Sequence, residues 1–166
     1  PYSAAGCCVA PPRMAWADVA RVALHGGGEW LLEQVAAGNL IVFEHGLSLL
    51  RVKGRVGTDI KTPRIKKCVF HGPTGCTIAE TRRPSTCNYY VCDKAIEEGE
   101  HAQRGTGVRA EREHDKLVSL FTRADASLQA SIDAHWPAGV SFDPNFLEWL
   151  VERFAAWRSA RSDATA

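Results

Sequence analysis

CVFHGPTGCTIAETRRPSTCNYYVC, residues 68–92, carries four of the six cysteines, Cys68, Cys76, Cys87 and Cys92, with seven, ten and four residues between them. The other two, Cys7 and Cys8, are adjacent. A thiolate is a soft anionic ligand suited to zinc or to the irons of an iron–sulfur cluster, and four thiolates close either kind of site. Both Cys68-x7-Cys76 and Cys87-x4-Cys92 are wider than the C-x2-C knuckle of a zinc ribbon, so the spacing supports a metal without naming it. Three disulfides are the alternative for a secreted chain. Adjacent cysteines bond to each other only with strain, and the chain is long enough to bury a core without cross-links, so the thiols read as ligands. A blander role, as small buried hydrophobes, fits one or two of the six.

Outward from this stretch the pattern changes in both directions. Upstream, Leu40-Ile41-Val42-Phe43 and Leu47 to Val52 flank Glu44-His45-Gly46, which predicts a β-hairpin. Brief strands are expected around Cys68-Val69-Phe70 and Cys76-Thr77-Ile78, and the basic residues before them as a loop or a weaker strand pair. Pro11-Pro12 blocks helix, after which Met14 to His25 reads as a helix with Trp16, Val19, Ala20 and Ala23 on one face. Gly26-Gly27-Gly28 ends it, and a second helix from Glu29 to Ala37, closed by Gly38, completes a helical hairpin.

Downstream the chain turns helical. Asp93 to Glu100 reads as one or two turns and Arg104 to Val108 as a loop. A long helix is predicted from Val108 to Trp136, with Leu117, Phe121, Ala124, Leu128 and Ile132 at intervals of four, three, four and four. Pro137 stops it. Asp143 and Pro144 read as N-cap and first residue of a last helix whose apolar stripe is Leu147, Leu150, Val151, Phe154 and Trp157. The expected class is therefore α+β, mostly α-helical, with a small central antiparallel β and loop region organised around a cysteine metal site. Residues 1–100 form the cysteine-cluster metal-binding region and 101–166 a C-terminal helical region packed on it as one compact domain.

The formal net charge of +1 over 166 residues names no partner. No run approaches the ~18 apolar residues that suggest a membrane span. The basic run Arg51, Lys53, Arg55, Lys61, Arg64, Lys66 and Lys67, with Tyr89 and Tyr90 nearby, invites a nucleic-acid reading. No recognition-helix or RNA-platform motif accompanies it, and a solvated loop facing an anionic metal site is the preferred interpretation. His71, three residues after Cys68, is a weaker candidate ligand. Glu111, Glu113 and Asp115 read as the wet face of the long helix, and no catalytic set of residues can be picked out.

Gly6-Cys7-Cys8, Asp18 on the following helix, and the order Cys68, Gly75-Cys76, Arg83-Pro84, Cys87, Cys92 resemble the YkgJ-type cysteine-cluster family. That family is described by the motif CxxCxxCC and as a zinc- or iron-chelating domain. The resemblance covers Pro1 to Asp93 and leaves the helical C-terminal part outside. It implies that Cys7, Cys8, Cys68, Cys76, Cys87 and Cys92 are all metal ligands. The chain departs from the family at the front: eight cysteines are expected and six are present, so the first two either precede Pro1 or have been lost.

A flagellin lysine methylase sharing the motif is regarded as carrying a [4Fe–4S] cluster, and on that resemblance a [4Fe–4S] cluster is preferred over Zn. Nine basic residues against Asp59 and Glu80 between Arg51 and Arg83 suit the negative charge of either group. The expected protein is thus a bacterial-type, cytoplasmic metalloprotein with a structural, redox or accessory role and a possible protein partner. The alternatives are a metal-dependent modifying enzyme, related to protein methylation, and a basic nucleic-acid-binding module.

Overall fold

The computed structural model describes residues 13–54, 64–72, 75–89 and 106–163. Cys7, Cys8, Cys92 and the expected helical turns at 93–100 lie outside them. The fold is α+β, mostly helical, with three small antiparallel sheets among the described residues.

Strands β2 (Leu40–Phe43) and β3 (Gly46–Leu49) form the hairpin that the β-branched run predicts, with Leu40 opposite Leu49 and Phe43 opposite Gly46. The other edge of β3 takes β1, Arg13–Ala15, of which the sequence reading places Met14 and Ala15 in a helix. Its apolar spacing fits a helix, but the pairing is decided by a residue far along the chain. Gly46 has φ 134°, and a Cβ there would lie 2.1 Å from the Met14 carbonyl oxygen, so only glycine lets the two backbones meet. Trp16 Nε1 donates to the Glu44 carbonyl at 3.3 Å and fastens the hairpin turn to the start of helix α1 (Trp16–Val22).

Helix α1 is central. Trp16, Ala17, Asp18, Val19, Ala20 and Val22 are all buried, so it is enclosed on nearly every side rather than amphipathic as expected. It packs on β3 and on the two C-terminal helices, α4 (Thr106–His135) and α5 (Pro144–Asp163). His25 (φ −94°, ψ 27°) and Gly26 (φ 79°, ψ 16°) break the helical geometry before α2 (Gly28–Ala36) begins, and Gly38 (φ 71°) closes α2 as predicted.

Beyond Leu50 the chain leaves the first sheet. Strand β4 (Arg51–Gly54) pairs with β5 (Ile65–Cys68), so the basic stretch is in part a strand pair, and β6 (His71–Gly72) pairs with β7 (Gly75–Cys76). A 3-10 turn, Glu80–Arg82, leads to the short helix α3 (Ser85–Tyr89).

Helix α4 begins at Thr106, inside the stretch expected as a loop. Its stripe is buried at Ala124, Leu128 and Ile132, while Leu117 is 37 % exposed, so tight packing starts only where α4 meets α1. In α5 the Asp143 carboxylate accepts the Phe146 N–H at 2.9 Å, the expected cap, and Phe146, Leu147, Leu150 and Phe154 face the core.

The amino end of α1 has no side-chain cap of its own at Ala15. Asp125 of α4 supplies one from 108 residues away, its Oδ1 accepting the Ala17 N–H at 2.7 Å. Burial raises the Asp125 carboxyl from 3.8 to about 6; the Ala17 hydrogen bond pulls it down and the nearby Asp18 charge pushes it further up. A raised folded-state pKa means that the native state holds this proton more tightly than the unfolded chain. Stability contributed here is present below the unfolded value and lost as pH rises through about 6. Asp125→Asn keeps an oxygen for Ala17 and removes the charge, so its melting temperature should fall less than the wild type's between roughly pH 4 and pH 7. Asp125→Ala should be less stable than Asp125→Asn at every pH by about 1 kcal/mol, the typical worth of a cap. Melting curves across that range check both outcomes, and an undiminished slope in Asp125→Asn would contradict the assignment.

Candidate metal centre

The three described cysteines sit on three different elements of the stretch 68–92. Cys68 ends β5, is 4 % exposed and lies opposite Arg51; Cys76 is on β7, half-buried, opposite His71; Cys87 lies half-buried in α3. All three are thiols, not disulfides. His71 is engaged by Lys67, whose ammonium lies 3.2 Å from His71 Nδ1 and 3.0 Å from the His71 carbonyl.

The stretch is docked on the helical core by aromatic contacts and by one buried carboxylate. Phe70, in the turn after β5, lies 6.1 Å from Trp30 of α2, and the Arg82 guanidinium sits 5.8 Å from the same indole. Asp18 of α1, 4 % exposed, accepts the Ser85 N–H at 2.8 Å on Oδ1 and the Ser85 hydroxyl at 3.1 Å on Oδ2. One turn later on α1, Arg21 donates from Nη2 to Asp18 at 3.1 Å and from Nη1 to the Thr81 carbonyl at 2.9 Å; Nη2 also reaches the Arg83 carbonyl.

The carboxylate–guanidinium pair therefore binds both sides of the Arg83-Pro84 element. Arg83 Nε in turn holds the Ile78 carbonyl at 2.8 Å, and the Cys87 N–H donates to the Pro84 carbonyl at 2.9 Å. Burial pushes the Asp18 carboxyl up, while the Arg21 charge and the Ser85 donors pull it back. Cys87 is thus placed two residues after a backbone N–H fixed to α1.

The donor chemistry suits a soft metal, since thiols are present where the sequence puts them. Among the described residues, however, no three His, Cys, Asp or Glu side chains converge as a metal would require. Cys68, Cys76 and Cys87 do not make a closed site with the other described residues. The residues that the sequence reading missed are Arg21, Ser85 and Asp125. Asp18 and Arg21 are the charged positions in WADVARV, an otherwise apolar stretch, and a charge spaced i, i+3 there signals a buried pair.

Comparison with family models, with curated proteins and with solved structures found no match.

Removing one partner of a buried pair strands the other. Asp18→Ala leaves the Arg21 guanidinium and two Ser85 donors without their acceptor and should cost about 3–5 kcal/mol. Asp18→Asn, which retains acceptor capacity, should cost less. Chemical denaturation measures both, and near-neutral stability for Asp18→Ala would show that the clamp contributes little.

Proposed function

We propose that this chain is a cysteine-cluster metal-binding protein of the YkgJ type. It holds a [4Fe–4S] cluster, or alternatively Zn, through thiolates drawn from Cys7, Cys8, Cys68, Cys76, Cys87 and Cys92. The observation that carries the proposal is that Cys68, Cys76 and Cys87 are all thiols on one segment, and that a buried carboxylate–guanidinium pair ties this segment to the central helix. A wholly polar anchor at the core is costly to build, and it fixes the backbone from which Cys87 projects.

Ligation by thiolates requires a reducing compartment, consistent with a cytoplasmic protein. No described helix is long and apolar enough to cross a membrane. Bound metal would serve a structural, redox or accessory role: a shell made only of cysteine leaves no open position for substrate, which sets this reading above that of a metal-dependent modifying enzyme.

Anaerobic purification followed by metal and acid-labile sulfide analysis tests the proposal. The expected result is brown protein with broad absorbance near ~400 nm, strongly reduced in Cys87→Ser. Colourless protein with stoichiometric zinc would replace the cluster by zinc, and protein free of both metals under those conditions would overturn the metal-binding reading.

A further inference from the structure

Strand β2 is an end strand of the first sheet, whose order is β1-β3-β2. The Leu50 N–H donates to the Asn39 carbonyl, and antiparallel pairs alternate, so Ile41 and Phe43 turn their backbone groups toward β3 while Leu40 and Val42 turn theirs outward. Among the described residues no backbone group pairs with Leu40 or Val42 on that side. End strands are ordinarily blunted by charge, proline or a bulge. Leu40-Ile41-Val42-Phe43 has none of these: it is wholly apolar, it pairs with β3 in unbroken register, and Ile41 is 49 % exposed.

A groove of about 510 Å³ lies along the same strand. Val42 to Glu44 form one wall; Ile132 and Asp133 of α4, with Trp136 and Val140 beyond it, form the other. A strand edge facing a helix across a groove is a geometry in which an extended peptide adds to a sheet, its main chain bonding the edge and its alternate side chains entering the groove. The rim is acidic: Glu44 and Asp133 border the groove, and among the described residues no lysine, arginine or histidine does. Both carboxylates keep acceptor capacity. Gln129 Nε2 donates to Asp133 Oδ1 at 2.7 Å, using one of roughly four acceptor sites, and the Glu44 contact with the His45 imidazole is long, 3.8 Å, and exposed.

We propose that this groove takes an extended segment of a partner protein as a fourth strand, antiparallel to β2, with an apolar side chain against Ile132 and Trp136 and a lysine or arginine two residues along at Glu44 or Asp133. Partner residues opposite Leu40 and Val42 share the face those two side chains use, the core face, so the same residues make the main-chain bonds and fill the groove. A second copy's β2 suits the edge but not the charge, since Leu40–Phe43 carries no cation. No cysteine lines the groove, so the surface stands apart from the metal-binding reading.

Titration of the full chain with the capped heptapeptide Thr-Lys-Thr-Val-Thr-Lys-Thr, followed by NMR, tests it. The expected result is saturable one-to-one binding in which the Leu40 and Val42 amides gain protection from hydrogen exchange, while those of Ile41 and Phe43, already bonded to β3, change little. Methylating the amide nitrogen of the peptide's valine removes a donor to the β2 edge and should weaken binding roughly tenfold or more. Replacing both lysines by glutamate should weaken it by a similar factor, and the double variant Glu44→Lys with Asp133→Lys, at two exposed positions, should reverse that preference. No saturable binding at millimolar peptide, equal binding of the methylated peptide, or a charge preference unchanged in the variant would each overturn the proposal. Leu40 and Val42 amides protected before any peptide is added would overturn it too, in favour of a second copy where sedimentation shows a dimer, or of another segment of this chain where it shows a monomer.

Discussion

A carboxylate taken out of water must be met by donors, and the placement of Asp18 obliges two separate segments to meet it. The helix that carries it contributes Arg21, the cysteine-bearing segment contributes the Ser85 amide and hydroxyl, and Arg21 extends the same connection to the carbonyls of Thr81 and Arg83. Because α1 is enclosed by β3, α4 and α5, the pair is mounted on a buried helix at the centre of the described core. A hydrophobic contact would tolerate sliding by an ångström or more. Charge-assisted hydrogen bonds of fixed direction do not, and the Arg83-Pro84-Ser85 backbone is held accordingly.

The second carboxylate near α1 has a different task. Asp125 answers the unpaired amide at the start of the helix, which no residue near Ala15 can do because the preceding strand is committed to β3. The Asp18 charge adds to the cost of ionising Asp125. The central helix is therefore framed by one charge that is balanced by Arg21 and one that is not.

Much of the architecture is legible in the sequence where a local rule decides it. Leu40 to Leu49 declares a hairpin through β-branched residues around Gly46, Gly38 closes α2, and Asp143-Pro144 opens α5. Local rules fail at Arg13–Ala15, where the periodicity suits a helix and a glycine 31 residues beyond Ala15 determines a strand instead. They fail again along α4, whose apolar spacing continues to Leu117, which with its neighbour Val118 is partly exposed. At the candidate site the cysteine positions are plain from the sequence. The charged clamp is only hinted at by Asp18 and Arg21 inside an apolar stretch, since its acceptors and donors lie 60 to 67 residues away.

The crossing at Leu50 bears on how the chain can vary. Its N–H donates to the Asn39 carbonyl and its carbonyl accepts from Val69, so one residue belongs at once to the first hairpin and to the cysteine-bearing strands. Strand side chains alternate between faces, and a single residue inserted or deleted between Leu47 and Leu50 would reverse the alternation of β4 relative to the first sheet. The spacing from Gly46 to Arg51 thus couples the register of the first hairpin to that of the strand pair that ends in Cys68.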